Sequence, residues 1–115
     1  MHSVRFNLEL AQSFTQEELE TRIDNSPLLS RTNTFDSNVI FERGRRYGFQ
    51  GRIFSQAVVV ANNILIAPNS VKGWAFIPQE GNTLISTLHA FLIQTRCPDT
   101  KKIMNTLAQD LILSE

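Results

Sequence analysis

The segment from Arg52 to Ile77 constrains the fold more than any other part of the chain. Ile53, Phe54 and Ala57 to Val60 are rich in β-branched and aromatic residues, which suit a pleated, packed strand. Val58-Val59-Val60 is continuous rather than alternating, so both faces of that strand are expected to be covered. Asn62-Asn63 offers a two-residue hairpin turn, because Asn tolerates positive φ, and Ile64-Leu65-Ile66 would then return antiparallel. Pro68-Asn69-Ser70 makes a second turn. Val71 to Ile77, containing Trp74 and Phe76, gives a further strand that Pro78 closes. The expected centre is therefore a β-hairpin or meander.

The flanking segments supply one more strand and the helices. Val4, Phe6, Leu8 and Leu10 alternate with Arg5, Asn7 and Glu9, the period of a half-buried strand. Thr15 with Glu18 three residues on forms a capping box, Phe14 and Leu19 occupy the positions of a hydrophobic staple, and Pro27 ends the helix at or before Ser26. Residues 30–38 are polar and read as a loop, after which Val39 to Phe41 could start a strand. Gly44, Gly48 and Gly51 fall among Arg43, Arg45, Arg46 and Arg52, a spacing that suits a tight turn or a bulge. Leu84, Leu88, Phe91, Leu92 and Thr95 follow helical periodicity over 82–95. Beyond Pro98, Asp99 or Thr100 could cap a helix with Ile103, Leu107 and Leu111 on one face. Lys101 and Lys102 oppose its dipole there, and a short strand over 101–104 is the alternative. The fold class is mixed α/β, with α+β as the alternative: one domain over 1–115, a small mixed sheet packed by two or three helices.

Composition narrows the function classes. A chain of 115 residues is long enough to build a core without disulfides or metals, and 42% hydrophobic with 19% charged residues is ordinary for a globular domain. Eleven basic and eleven acidic residues cancel, which disfavours nucleic acid as the main partner, because phosphate binding rests on cationic charge. The distribution is uneven: residues 1–42 carry seven acids against three arginines, while 43–52 carry four arginines and no acid. The lone Cys97 excludes an internal disulfide and fits a reducing compartment. No run approaches the roughly 18 apolar residues that span a bilayer, so no transmembrane segment is expected and peripheral association stays open. The first fifteen residues read neither as a secretory signal nor as a transit peptide.

Catalytic chemistry is sparse. His2, His89 and Cys97 are too few for a zinc site of the usual spacing, so no metal or cofactor is expected. Cys97 and His89 stand eight residues apart, roughly 12 Å along a helix, too far for a nucleophile–base pair unless the helix ends early. The glycine cluster lacks the Lys-Ser/Thr ending of a phosphate loop and the strand-then-helix setting of a dinucleotide fingerprint. Its arginines are either a solvated turn or a place for an acidic partner, a phosphate or a carboxylate. Arg45 and Arg46 flank Tyr47 and Phe49, an arrangement single-strand nucleic-acid platforms also use. Trp74 is either a core anchor or an interface anchor.

Several stretches resemble one family. Val39-Ile40-Phe41-Glu42-Arg43-Gly44-Arg45-Arg46-Tyr47-Gly48-Phe49 is similar to its apolar pair, acid, polar turn and Gly-Phe. Ile66-Ala67-Pro68-Asn69-Ser70-Val71-Lys72-Gly73-Trp74 is similar to its apolar-x-Pro-x-Ser/Thr-Val-x-x-Trp segment. Glu18-Leu19 through Leu28-Leu29-Ser30-Arg31 looks like its leader, and Leu84 to Leu92 followed by Pro98 falls where it has a helix and a Pro-containing turn. The family is that of mitochondrial complex I assembly factor 3 and its small prokaryotic relatives, and the resemblance covers residues 18–98. Two departures stand out. The spacing from Gly48-Phe49 to Trp74 is a few residues longer than in the family, placing an insertion near Val60 to Asn63. After Pro98 the sequence lacks the family's strand ending in Gly-Thr-Gly, so about half of the family domain would be missing.

The resemblance implies a non-enzymatic role in assembling the membrane-bound NADH dehydrogenase, with respiratory complex subunits or another assembly factor as partners, in the mitochondrial matrix or at the inner-membrane periphery. It carries no catalytic residues across. The expected partner-binding residues are Arg43, Arg45, Arg46, Phe49 and Trp74. The alternative is a small ligand- or nucleic-acid-binding module using the Arg43 to Arg52 basic turn, in which case a cytoplasmic location would serve.

Overall fold

The computed structural model describes residues 1–47, 56–78 and 82–111. Within them the elements run β1 (His2–Glu9), α1 (Gln16–Asp24), β2 (Leu29–Thr32), α2 (Ser37–Tyr47), β3 (Ala57–Val60), a 3₁₀ turn (Ala61–Asn63), β4 (Leu65–Ala67), β5 (Ser70–Ile77), α3 (Asn82–Gln94) and α4 (Thr100–Leu111). The fold is a mixed α/β sheet flanked by helices, as the sequence implies. Strand order is β1-β5-β3-β2, with β4 also paired to β5. β1, β3 and β4 run antiparallel to β5, and β2 runs parallel to β3.

The valine run sits at the centre of the molecule. Val58 and Val60 are fully buried on one sheet face, where they join Ile40 of α2 and Phe76. Val59 points to the other face and meets Ile23 of α1 and Ala75. A strand covered on both faces cannot alternate polar with apolar, which is why this stretch reads as a continuous block. The remaining helices make a separate cluster in which Ile85 and Leu92 of α3 meet Met104 of α4, with Leu28 packed against them. The segment Thr100–Leu111 is therefore helical, and 101–104 do not form a short strand. Among the α3 side chains described, Ile85 and Leu92 are buried, while the expected face member Phe91 is 58% exposed.

Local chemistry sets the helix boundaries. Thr15 Oγ1 accepts the Glu18 amide at 3.2 Å, and the Glu18 carboxylate accepts the Thr15 amide at 2.8 Å. This reciprocal box fixes the start of α1. α3 ends in a Schellman cap: Arg96 adopts φ 52°, its amide donates to the Ile93 carbonyl at 3.0 Å, and the Cys97 amide donates to the Leu92 carbonyl at 3.0 Å. Cys97 packs on the cluster that contains Leu92, the apolar contact that usually accompanies this cap.

Four expectations need correction. Val39 to Phe41 does not start a strand, and Gly44 does not open a turn: both lie within α2. Asp36 caps that helix, its carboxylate accepting the amides of Asn38 (2.8 Å) and Val39 (3.2 Å). The cationic run of Arg43, Arg45 and Arg46 then falls in the last turns of α2, where positive charge complements the helix dipole. Second, the polar stretch after Leu29 is not all loop. Residues 29–32 form an edge strand with Ser30 and Thr32 buried, while Arg31 reaches α1. There Arg31 clamps Asp24 through Nε and a terminal nitrogen, each at 2.7 Å, and also binds Glu20.

Third, Asn62-Asn63 is not a hairpin turn. β3 and β4 do not fold back on each other; both lie along the same side of β5 and run in one direction. The chain reverses at Pro68-Asn69, which link the paired residues Ala67 and Ser70. Between the two short strands, residues 60–64 stand opposite only Gly73 and Trp74, so the 3₁₀ turn takes up the extra residues. Asn62 secures that turn by donating its side-chain amide to the Asn33 carbonyl at 3.1 Å. Fourth, the β1 alternation is real, but Val4 and Leu8 remain 41% and 52% exposed, because β1 is an edge strand whose apolar face is only partly covered.

Candidate functional site

The five residues singled out from sequence do not form one turn. Arg43 and Arg46 lie on α2, one and two turns beyond Ile40, the residue by which that helix packs on the sheet. Together with Asn38, Val39 and Glu42 they line an open hollow along one flank of the helix. The spacing explains the grouping: positions 39, 43 and 46 and positions 38 and 42 stand on adjoining stripes of a helix. Arg46 is exposed, whereas Arg43 is half-buried and engaged in an interaction of its own, as is Glu42. Arg45 belongs to the same helix, but its side chain is not among those described, and Phe49 lies outside the described residues.

Trp74 belongs to a different set of contacts. It is half-buried and packs against the cluster of Ile40, Val58, Val60 and Phe76, beneath α2. Its ring meets Phe35 edge to face, with centroids 5.9 Å apart and planes at 88°. Phe35 also leans on Phe76 at 6.0 Å while remaining 55% exposed. Trp74 therefore contributes to the core, and on one side its ring meets an aromatic side chain that solvent can reach.

Sequence reasoning missed Phe35, Asn38, Val39 and Glu42. Phe35 is the lone aromatic in a polar run, and that alone signals nothing about its partners. The signal for the other three was present in Asp36, a good N-cap placed just ahead of Val39 and Arg43 at i, i+4 spacing.

The arrangement offers cationic and apolar groups for binding along α2. Among the described residues no group of three His, Cys, Asp or Glu side chains is placed to hold a metal. Cys97 and His89 are both half-buried, with Cys97 committed through its backbone to the α3 cap. A second open hollow lies at the start of α4, lined by Pro98, Asp99, Lys101, Lys102, Asn105 and Thr106. No described helix is long and apolar enough to cross a membrane. No protein-family model matches the chain, and no curated protein matches it.

Proposed function

We propose that the chain is a non-enzymatic protein-binding domain that docks its partner along the outer flank of α2. The observation that carries this reading is the hollow where the exposed Arg46 guanidinium and the 40%-exposed Val39 side chain lie on one helix flank. Arginine is enriched among the residues that dominate protein interfaces, and its charge-assisted hydrogen bonds to a partner carboxylate are joined here by apolar area that docking removes from water. Asp36 and the sheet-facing Ile40 hold the helix in place, so docking needs little ordering of the backbone.

The sequence resemblance suggests the setting: assembly of the respiratory NADH dehydrogenase, with an acidic surface on a subunit or on another assembly factor as the partner. The charge pattern supports an acidic partner: residues 43–52 hold four arginines and no acid, and Arg46 among them is exposed, with Glu42 lining the same hollow.

The test is crosslinking with the intact chain in mitochondria, followed by identification of the captured proteins, for the wild type and for Arg46→Glu and Val39→Asp. Both side chains are exposed, and retained far-UV circular dichroism checks that the variants fold. The expected result is capture of dehydrogenase subunits or assembly factors that falls with each variant and weakens with salt. Unchanged capture by both variants would refute the α2 surface. Capture of nucleic acid, with the steep salt dependence of phosphate contacts, would favour the ligand-module reading instead.

A further inference from the structure

β1 is an edge strand of eight residues whose free side pairs with no described strand. Edges of this length are usually protected by an inward-pointing charge, a proline or a bulge. β1 pairs with β5 in unbroken register over its whole length and contains no proline.

Its backbone is poised to accept another strand. The Leu10 amide donates to the Asn69 carbonyl at 2.9 Å, so the even-numbered residues of β1 turn their amides and carbonyls towards β5. The odd-numbered residues, Ser3, Arg5, Asn7 and Glu9, turn theirs outward. Side chains follow the other alternation. Arg5, Asn7 and Glu9 are exposed on one face, and Val4, Phe6 and Leu8 line the other, with Val4 and Leu8 largely in solvent.

We infer that β1 is a homotypic docking edge, which pairs antiparallel with β1 of a second copy of this chain to continue the sheet across a twofold axis. The sequence of the strand is complementary to its own reverse. With Asn7 on the axis, Arg5 stands opposite Glu9 of the second copy and Glu9 opposite its Arg5. In the same register Phe6 faces Leu8 and Val4 faces Leu10 on the apolar side. Opposite charges and apolar pairs directly across a ladder both stabilise it, whereas like charges there destabilise it. The outward-facing odd residues supply about six main-chain hydrogen bonds in this register. The axis lies at the β1 end of the sheet, whereas β2, which leads into α2, forms the other end, so the inference stands independently of the docking surface on that helix.

Sedimentation of the full chain over a range of concentrations, combined with amide hydrogen exchange, tests this. The expected result is a reversible dimer in which the amides of Arg5, Asn7 and Glu9 gain protection as concentration rises. The amides bonded to β5 should stay protected throughout. Arg5→Glu and Glu9→Arg should each weaken the dimer about tenfold or more by placing like charges across the ladder, and the double variant should restore it. All four side-chain positions in these pairs are exposed, so the monomer fold is expected to survive each change. A chain that stays monomeric up to millimolar concentration would overturn the inference. So would a dimer indifferent to both single swaps, or one that leaves the odd-numbered amides unprotected.

Discussion

The Phe6 ring lies across Gly73, its cross-strand partner, so closely that a Cβ at position 73 would stand 2.8 Å from the ring Cζ. The glycine leaves a bare patch in β5, and the aromatic side chain of the edge strand covers it. Gly73→Ala must therefore displace the Phe6 ring from the sheet face, where it packs on the cluster of Ile23, Val59 and Ala75. The expected cost is about 1–3 kcal/mol, the usual scale for overpacking. Chemical denaturation would measure it. The double variant Gly73→Ala with Phe6→Leu should recover part of the loss, whereas additive costs would show that the ring contact is not the cause.

The α3 cap makes a prediction of opposite sign. Arg96 adopts φ 52°, a left-handed conformation that costs an L residue roughly 1–2 kcal/mol and glycine much less. Arg96→Gly keeps both backbone hydrogen bonds of the cap and removes that cost, less the extra flexibility glycine brings to the unfolded chain. The domain should gain up to about 1 kcal/mol, read as a higher melting temperature. A lower melting temperature would mean that the Arg96 side chain itself contributes stabilising contacts.

Acid should reveal the capping box of α1. The Thr15 amide, then the Thr15 hydroxyl, and more weakly the Arg22 charge hold the Glu18 carboxyl below its ordinary value of 4.5. A depressed folded pKa means that this stabilisation is complete above the unfolded value and is lost as pH falls through the folded one. The melting-temperature difference between wild type and Glu18→Gln should therefore be largest near neutrality and shrink below pH 4.5. A difference that does not change with pH would show that the carboxylate charge is irrelevant to the cap.

These predictions also show which features could be read before the structure. The Thr15–Glu18 box is local chemistry between residues three positions apart, and it appears where it was expected. The continuous valines announced a strand covered on both faces because burial itself shapes that pattern. β2 was opaque for the converse reason: a short parallel edge strand with buried Ser30 and Thr32 depends on β3, which lies far along the chain and leaves no local period. α2 was misread because glycines among arginines suggest a turn, whereas the contact of Ile40 with the sheet and the Asp36 cap outweigh one helical glycine, a cost of about 1 kcal/mol. For the candidate site, Trp74 and the arginines could be picked out individually. Their separation into a sheet-face aromatic group and a helix-flank hollow could not, because it depends on the path of α2.

The half-burial of Trp74 sets the scale of a last prediction. A fully buried ring would cost about 3–5 kcal/mol on truncation to alanine. Here the ring packs on Ile40, Val58, Val60 and Phe76 from one side and meets the exposed Phe35 on another, so Trp74→Ala should cost less, about 2–3 kcal/mol. Phe35→Ala removes the edge-to-face partner while leaving the sheet-side contacts, and should cost about 1 kcal/mol. The two changes should be non-additive, because each disrupts the same ring pair. Melting curves of the single and double variants measure the coupling. If Trp74→Ala leaves stability unchanged while partner capture is lost, the ring belongs to the docking surface and the core around Ile40 closes without it.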